Sequence, residues 1–246
     1  MPNNFSIILP TYNEAGNIIK LIKRLKVVFN RNREDFEIIV VDDNSNDDTA
    51  KIVSEYSIKN KFLKLYNRKN KKRNLAKSIE LGIKKSNNNI IIWLDADLQH
   101  PPEYINQFIK NIKKYDVIIF SRYHKSKANK QKSFHDNSTS FLNKICNKIL
   151  FKDFTDFTSG FICIKKYSLK KFTFNAYYGE YFIDLLSYIK FKKLKFLELP
   201  FKESERHSGY SKTTHNKINY VVKSFFYLVS ILKNIILKIF KGLIKF

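Results

Sequence analysis

The sequence is poor in the residues that build disulfide frameworks and flexible linkers. Its 246 residues include only two cysteines, six glycines and five prolines. Cys146 and Cys163 provide neither a disulfide framework nor the spacing of metal ligands, so a reduced, cytosolic compartment is expected. No linker or internal repeat divides the first 212 residues, which indicates one domain with a full core.

Long apolar runs are also missing. No charge-free run of about 18 apolar residues occurs, which argues against a regular membrane span. The N-terminal MPNNFSIILP has no basic residue ahead of its apolar stretch, and that stretch is too short for a secretory signal. We therefore expect neither secretion nor a regular transmembrane helix.

Acidic residues are the third scarce class. The 46 lysines and arginines outnumber the 22 aspartates and glutamates and give a formal net charge of +24. Such an excess favours nucleic acid, an anionic membrane surface or polyanionic small molecules as partners. Part of this excess of positive charge reflects the general composition of the chain, which is rich in Lys, Asn, Ile and Phe. No aromatic–basic platform of the kind that binds single strands is present, so we expect no nucleic-acid partner.

What the sequence does contain is a regular alternation of strands and helices. Short Ile- and Val-rich runs predict strands at 5–9, 36–41, 62–66, 89–95 and 116–121. Amphipathic spacing predicts helices at 16–29, 48–58, 74–85 and 102–114. This alternation predicts an α/β fold with a doubly wound, mostly parallel sheet, whose ligands bind at the carboxyl ends of the strands.

The second half of the chain is less regular. Helices are predicted at about 137–150, 166–172 and 179–190, and strands at about 161–165 and 194–201. Polar loops are predicted at 124–133 and 202–212.

The stretch WLDADLQHPPE places two carboxylates at the end of a predicted strand. If the strand geometry persists, Asp95, Asp97 and Gln99 point to the same side. Carboxylates so close repel each other unless a cation lies between them, and oxygen ligands favour Mg²⁺ or Mn²⁺. The alternative is a solvated turn before the next helix.

Other polar loops fall at the same predicted edge: PTYNE (10–14), DDNSNDDT (42–49), SRY (121–123), DFTSGF (156–161) and RHSGYSK (206–212). Together with DADLQ they resemble the inverting glycosyltransferases of family 2, which have the GT-A fold. The sequence is most similar to the dolichol-phosphate mannosyltransferase and polyprenyl-phosphate glycosyltransferase group, over about residues 4–212.

The resemblance implies a site for a nucleotide-sugar donor. PTYNE matches the motif P-x-Y-N-E of the nucleotide pocket, and DDNS matches the motif D-D-x-S that meets base and ribose. The residues so assigned are Pro10, Tyr12, Asn13, Glu14, Asp42 and Asp43. RHSGYSK matches the motif R-x-x-G-x-S-K, a loop that closes over the phosphates with Arg206 and Lys212.

The resemblance also implies a metal centre and an acceptor site. Asp95, Asp97 and Gln99 match the ligands of a Mg²⁺ or Mn²⁺ ion that bridges the two donor phosphates. Arg122 matches the arginine that faces the lipid-phosphate acceptor. The family motif D-x-T-S-G, a turn beneath the sugar, is matched by Asp156, Ser159 and Gly160. Asp97, Arg122 and Arg206 are thereby the predicted catalytic residues, and Arg122, Ser159 and Lys132 the predicted acceptor-binding residues.

Some positions depart from the family pattern. Asp48 and Asn74 stand where the group usually has glycine. In SFHDNSTSFLN (133–143), His135 and Asp136 replace the arginines that usually precede a serine and grip the acceptor phosphate. Ser138 or Thr139 lies near that serine position, and Lys130 or Lys132 is the candidate replacement for the missing cation.

No general base is evident. Glu180 and Asp184 lie on a predicted helix, where a structural role is equally consistent with the sequence. An acceptor phosphate is already ionised near neutral pH and needs no base, whereas a hydroxyl acceptor does.

The tail, residues 213–246, differs from the preceding domain, 1–212. A polar stripe that includes Lys223, Tyr227, Ser230, Asn234 and Lys238 runs along an otherwise apolar helix. Such a helix suits a membrane interface, with its lysines among anionic headgroups. The alternative is a helix packed on the domain or on a partner membrane protein.

Three functions are weighed on these grounds. The first is metal-dependent, inverting transfer of a hexose to a polyprenyl phosphate, dolichyl or undecaprenyl, at the cytoplasmic membrane face, with a peripheral enzyme. The donor is then mannose from GDP-mannose or glucose from UDP-glucose. The second is transfer to a hydroxyl of a cell-surface glycan or lipid. The third, nucleic-acid binding, is supported by charge alone.

Overall fold

The computed structural model describes residues 4–69, 71–124, 134–205 and 217–243. Its strands are β1 (Asn4–Thr11), β2 (Asp35–Asp42), β3 (Leu63–Asn67), β4 (Ile90–Trp93), β5 (Val117–Ser121), β6 (Ile162–Lys165) and β7 (Phe196–Pro200). Its α-helices are α1 (Ile18–Asn32), α2 (Thr49–Ile58), α3 (Leu75–Lys85), α4 (Ile105–Asn111), α5 (Phe134–Ile149), α6 (Tyr181–Phe191) and α7 (Lys217–Leu243).

The strands form one sheet in the order β3-β2-β1-β4-β6-β5-β7. Only β6 runs antiparallel to its neighbours, β4 and β5. The predicted doubly wound, mostly parallel α/β sheet is thus confirmed. The carboxyl ends of the other six strands lie at one edge, together with the residues that precede β6. This edge is called the loop edge below.

The sheet separates two apolar layers, and the alternation of side chains explains both. Ile38 and Val40 of β2 point into one layer, whereas Ile39 and Val41 point into the other. Because both faces are covered, the strands are apolar without interruption. Helix α1 buries its apolar stripe in the first of these layers, in agreement with the predicted amphipathic spacing.

Several predicted boundaries are wrong for local reasons. The strand predicted at 89–95 ends at Trp93, because the chain turns there and Leu98 takes a left-handed conformation (φ 67°). The helix predicted at 102–114 begins as a 3₁₀ turn and continues as α4 only to Asn111. The helix predicted at 166–172 is a single 3₁₀ turn, Lys166–Leu169.

Helix α7 packs on the domain through its polar stripe, the reverse of the orientation expected for it. Ser230 and Asn234 are buried and donate hydrogen bonds to Asp184 of α6 (2.9 and 2.6 Å), and Lys233 forms an ion pair with the same carboxylate. Lys238 Nζ donates to the carbonyls of Ile149 (2.8 Å) and Leu150 (2.5 Å). These two lysines therefore contact the protein, and Asp184 has a structural role.

The opposite face of α7 is apolar and exposed. Its exposed side chains are Val221, Val222, Phe225, Leu228, Val229, Leu232, Ile236, Leu237, Ile239 and Phe240. Among the described residues, no helix combines the length and apolar character needed to span a membrane. The predicted division of the chain at residue 212 falls outside the described residues and stays a prediction.

Candidate active site

The loops after β1 and β2 are joined by hydrogen bonds between their own side chains. The last residues of the two strands, Thr11 and Asp42, are paired in register, and Thr11 Oγ1 donates to Asp42 Oδ1 (3.2 Å). The fully buried Asp42 carboxylate also accepts from the backbone N–H and the hydroxyl of Ser45 (2.9 and 2.5 Å). Ser45 Oγ in turn accepts from the N–H of Asn13 (2.9 Å), whose φ is +54°. Asp42 thereby holds the predicted nucleotide loop in shape.

Glu14 is placed in a similar way. Its backbone N–H donates to Thr49 Oγ1 at the start of α2 (2.8 Å), and its carboxylate accepts from Asn17 Nδ2 (2.7 Å). Its carbonyl accepts from the N–H groups of Asn17 and Ile18 (both 2.9 Å), which starts α1. Only 7% of Glu14 is exposed, so the structure shows that it supports the loop. Its contact with the donor stays a prediction.

Asp43 connects the β2 loop with the segment between β3 and α3. Its carboxylate pairs with Arg68 and accepts from the N–H of Asn74 (2.6 Å). Burial raises the pKa of Asp43, and these contacts only partly offset that effect. Asn74 caps α3 by accepting from the N–H of Lys77 (2.8 Å), which gives a reason for asparagine at this position. The neighbouring Arg73 lies over the ring of Tyr12, 4.1 Å from its centre.

The residues of DADLQ form a turn at the end of β4. Asp95 is exposed, Asp97 is 6% exposed, and Asp97 Oδ1 accepts from the N–H of Gln99 (3.0 Å). The N–H of Asp95 donates to Nδ1 of His100 (3.1 Å), whose ring is stacked on Phe161. Burial lowers the pKa of His100, so its imidazole stays neutral and accepts this hydrogen bond. The turn is therefore anchored in the core by His100.

The donor set of this turn fits a hard divalent cation. Asp95 and Asp97 supply carboxylate oxygens and Gln99 an amide oxygen, the ligands that Mg²⁺ and Mn²⁺ prefer. Among the described residues, no group of three or more His, Cys, Asp or Glu side chains suited to a metal ion occurs. Two carboxylates are sufficient where substrate phosphates complete the coordination shell. The assignment of these ligands stays a prediction.

Arg122, the first residue after β5, is held by a fully buried carboxylate. Its Nε and Nη2 donate to the two oxygens of Asp156 (2.8 and 2.9 Å), and Nη2 also donates to Thr158 Oγ1 (2.6 Å). Nη1 lies 3.4 Å from Glu203. Burial opposes the charge on Asp156, but Arg122 outweighs it and lowers the pKa of that carboxyl. Arg122 thus fixes the DFTSG turn, and its contact with an acceptor stays a prediction.

The same turn is held from two further directions. Ser159 Oγ accepts from the N–H of Phe161 (3.3 Å), and Gly160 adopts φ +67°, a conformation that favours glycine. On α5, Asn143 Oδ1 accepts from the N–H of Phe157 (2.6 Å). The structure therefore brings Arg122, Asp156, Ser159 and Gly160 together.

The comparison with family models decides the membership of this chain. The model described as Glycosyl transferase family 2 matches residues 6–173, which include most of β1, all of β2 to β6 and the DADLQ turn. This chain belongs to glycosyl transferase family 2. The predicted resemblance is thus confirmed.

Relatives within family 2 carry names that refer to polyprenyl phosphates. The chain is 32% identical over 211 residues to "Dolichol-phosphate mannosyltransferase" of Pyrococcus furiosus, which covers 84% of this chain and 58% of that protein. It is 27% identical over 217 residues to "Undecaprenyl-phosphate 4-deoxy-4-formamido-L-arabinose transferase" of Photorhabdus laumondii, which covers 87% of this chain and 64% of that protein. The chain thus spans less than two thirds of the length of these two relatives.

A solved structure supports the family 2 fold. Glucosyl-3-phosphoglycerate synthase from Mycobacterium tuberculosis, in complex with Mn²⁺, UDP and glucosyl-3-phosphoglycerate, superposes with a TM-score of 0.71. The similarity covers 94% of this chain and 80% of that one, at 15% sequence identity. At this identity the comparison shows the GT-A fold alone.

Sequence reasoning missed several residues of this family 2 site. Glu198 of β7 accepts from the N–H (2.9 Å) and hydroxyl (2.8 Å) of Thr155, and burial raises its pKa to about 7. Tyr181 of α6 accepts from Trp93 Nε1 (3.0 Å) beside the DADLQ turn. Neither residue belongs to a motif, and only a polar residue within an apolar pattern signals Glu198.

Other predicted site residues lie outside the described part of the chain or on its margin. Arg206, Gly209, Ser211, Lys212, Lys130 and Lys132 fall outside the described residues. His135 and Asp136 lie on α5, whose first turn is described as backbone alone. Glu180 accepts from the N–H groups of Tyr177 (2.8 Å) and Tyr178 (3.0 Å), so it shapes the turn before α6.

Proposed function

We propose that this family 2 chain transfers a hexose, with inversion, from a nucleotide diphosphate to a polyprenyl phosphate. The main observation behind this proposal is that the DADLQ turn and the cluster around Arg122 and Asp156 lie at the same edge of the sheet. The names of the relatives in Pyrococcus and Photorhabdus support a lipid phosphate as acceptor. Mannose from GDP-mannose is the first candidate donor, and glucose from UDP-glucose the second.

We further propose that Asp95, Asp97 and Gln99 hold Mg²⁺ or Mn²⁺. When bound, the ion would neutralise charge on the leaving diphosphate. The oxygen donor set of the turn supports this assignment, and so does the Mn²⁺ bound to the Mycobacterium enzyme of the same fold. The exposed Asp95 is accessible to such an ion, and His100 holds the turn from behind.

An ionised phosphate acceptor is consistent with the absence of an evident base. Within the described residues, Asp156 is paired with Arg122, Glu180 is bonded to backbone N–H groups, and Asp184 anchors α7. A hydroxyl acceptor would need a carboxylate at this edge to accept its proton. A phosphate oxygen attacks the anomeric carbon without that step.

The test is a panel of nucleotide sugars with Mg²⁺ or Mn²⁺ and a short-chain polyprenyl phosphate, with the lipid product identified by mass. We expect one hexose on the lipid, and loss of product in EDTA and in Asp97→Ala. Asp153→Ala, which removes an exposed carboxylate, is the matched control and should keep the wild-type rate. An unchanged rate in Asp97→Ala would exclude the metal assignment.

A second candidate is transfer to a hydroxyl of a glycan or lipid. The observation in its favour is the engagement of Arg122, whose guanidinium already contacts Asp156, Thr158 and Glu203. Transfer to a glycan in the same assay, with no polyprenyl product, would establish this candidate and exclude the first.

We infer that the enzyme works as a peripheral protein at an anionic lipid surface, on the cytoplasmic face. The exposed apolar face of α7 supports this inference, because a lipid acceptor resides in the bilayer and such a face is unfavourable in water. The net charge of +24 favours anionic headgroups. The alternative occupant of this apolar face is a partner membrane protein, and the vesicle test below distinguishes it from a lipid surface.

The lipid surface is tested by co-sedimentation with vesicles that contain phosphatidylglycerol. Leu232→Glu combined with Phe240→Glu should abolish vesicle binding and leave the unfolding midpoint unchanged, because both side chains are exposed. Ile58→Glu, on the exposed side of α2, should bind as the wild type does. Wild-type protein that remains in the supernatant would exclude the lipid surface in favour of a protein partner.

A further inference from the structure

The polar stripe of α7 has two parts that contact different regions of the domain. The later part, from Ser230 to Lys238, is anchored on α6 and on the end of α5. The earlier part, which contains Lys223 and Tyr227, lies beside the turn before α6, close to the loop edge. Both parts dock the helix, the later one through polar contacts and the earlier one through contacts with aromatic rings.

Tyr227 contacts this turn closely. A Cβ atom added at Gly179 would clash with the hydroxyl of Tyr227, so the glycine is required for the ring to sit there. Burial raises the pKa of Tyr227, and of the charges that act on it, Glu180, Asp95 and Asp156 raise this pKa further whereas Arg122 lowers it.

Lys223 lies one turn earlier on the same face. Its Nζ is 5.3 Å from the centre of the Tyr178 ring, and the rings of Tyr177 and Tyr178 both pack on Phe226 (5.3 and 5.8 Å). Three consecutive aromatic contacts thus fix this part of α7 on the turn. Lys223 is half-buried there.

The turn is in direct contact with the donor side of the loop edge. The carbonyl of Tyr177 accepts from the N–H of Leu75 (3.2 Å), the first residue of α3. Arg73, two residues earlier, covers the ring of Tyr12 in the predicted nucleotide pocket. The hydrogen bond between Leu75 and Tyr177 thus brings the segment that carries Arg73 to the turn on which Lys223 packs. The electrostatics agree, because burial lowers the pKa of Lys223 and the positive charge of Arg73 lowers it further.

Neighbouring cations that are partly shielded from water repel each other, and an anion between them relieves the repulsion. A phosphate group is a suitable anion, because lysine and arginine both donate charge-assisted hydrogen bonds to its oxygens. Both substrates of the proposed reaction carry phosphate. Among the described residues no carboxylate forms an ion pair with Arg73, and Asp43, on which the charge of Arg73 acts, is paired with Arg68.

We propose that Lys223 and Tyr227 of α7 form a wall of the active site, in which Lys223 and Arg73 together bind a substrate phosphate. This inference rests on the proposed function for the identity of the phosphate, which belongs either to the donor diphosphate or to the lipid acceptor. The helix that presents its apolar face to the lipid surface would then also complete the site, so that docking and substrate binding involve the same element.

The test compares Lys223→Met with Lys241→Met. Both variants remove a lysine of α7 that lies over an aromatic ring, Tyr178 for the first and Phe191 for the second (4.1 Å). The full chain is titrated calorimetrically in two arms: GDP and UDP with Mn²⁺, and farnesyl phosphate without nucleotide. We expect Lys223→Met to weaken binding about tenfold in one arm, which identifies the source of the phosphate. Lys223→Arg should restore most of it, and Lys241→Met should bind as the wild type does.

Equal binding by Lys223→Met and Lys241→Met in both arms would overturn the proposal. Both arms measure binding, so they report on Lys223 even if no sugar is transferred. Absence of lipid product from the wild-type enzyme would exclude the proposed function alone. Hydrogen exchange of α7 in each variant shows whether the helix is still docked, and weaker binding that accompanies faster exchange of the helix would also overturn the proposal.

Gly179→Ala tests the contribution of Tyr227. The added methyl group should displace the ring and weaken binding in the same arm as Lys223→Met, by about threefold or more. Wild-type binding by Gly179→Ala in both arms would remove Tyr227 from the wall.

Discussion

The two sides of the loop edge organise their carboxylates differently. On the side of β1 and β2, each buried carboxylate has its own donors: Asp42 has Ser45 and Thr11, and Asp43 has Arg68 and the N–H of Asn74. On the side of β5 and β7, two carboxylates share one guanidinium and a third lies on the same turn. Asp156 and Glu203 contact Arg122, and Glu198 shares the backbone N–H groups of the same turn.

This difference predicts different sensitivities. The side of β1 and β2 is a set of separate, satisfied hydrogen bonds, so loss of one should have a local effect. On the side of β5 and β7, the buried Asp156 depends on Arg122, and burial, together with the charge of Asp156, raises the pKa of Glu198 to about 7. The side of β5 and β7 should therefore be fragile to loss of Arg122 and sensitive to pH.

The largest effect is expected for Arg122→Met. The variant leaves the fully buried Asp156 without its counter-ion and should lower the free energy of unfolding by about 3–5 kcal/mol. Urea denaturation measures this loss. The double variant Arg122→Met with Asp156→Asn removes the uncompensated charge and should recover part of the stability. Strictly additive losses would show that the two side chains are not coupled.

On the side of β1 and β2, Asp43→Ala should lower the free energy of unfolding by about 1–3 kcal/mol, because both Arg68 and the N–H of Asn74 lose an acceptor. Thermal unfolding provides the measurement. Glu103→Ala is the matched control, since it removes the acid of an exposed pair with Arg24 and should cost at most about 1 kcal/mol. Equal losses in both variants would contradict the importance assigned to the buried pair.

The pH dependence distinguishes the two sides further. The pKa of Glu198 in the folded protein, about 7, lies above its ordinary value of 4.5, so the folded state holds this proton more tightly than the unfolded state. The bound proton therefore adds to the free energy of unfolding below about pH 4.5, and this stabilisation is lost as the pH rises through 7. Glutamine does not ionise, so Glu198→Gln keeps its stability over this range. Between about pH 5 and pH 8, its free energy of unfolding should come to exceed that of the wild type by about 1–2 kcal/mol.

Unfolding in urea at a series of pH values tests this expectation for Glu198. Glu55→Gln, on the exposed side of α2, should run parallel to the wild type. A constant difference between Glu198→Gln and the wild type across the whole range would refute the raised pKa.

The smallest effect is expected for Ser45→Ala, about 1 kcal/mol, because the variant loses the bonds of one hydroxyl, to Asp42 and from the N–H of Asn13, while Asp42 keeps its bonds to Thr11 and to the N–H of residue 45. The same urea assay detects it. A loss as large as that of Arg122→Met would show that the side of β1 and β2 is as interdependent as the side of β5 and β7.

Much of this arrangement is predictable from local sequence. Unbroken runs such as FEIIVV predict strands covered on both faces, and the motif loops then follow at strand ends. The strand containing WLDAD was predicted two residues too long, because the left-handed Leu98 and the anchoring by His100 depend on contacts that a periodic pattern does not contain.

Partners that are distant along the chain were not predictable. Arg122 was expected to face the acceptor, yet Asp156, 34 residues away, holds it. The raised pKa of Glu198 was not predictable, because it depends on burial beside the DFTSG turn. In each case the deciding interaction joins segments whose proximity follows from the strand order.

The sequence by itself determined the α/β class, the strand and helix order, the membership in family 2 and the residues of the predicted metal turn, because each follows from local periodicity or from a contiguous motif. Only the tertiary structure decided which way α7 faces. Its polar stripe is equally compatible with headgroups or with the domain, and Asp184 of α6 settles the choice by accepting hydrogen bonds from Ser230 and Asn234. Buried polar groups need such partners, and no periodic pattern specifies where the partners lie.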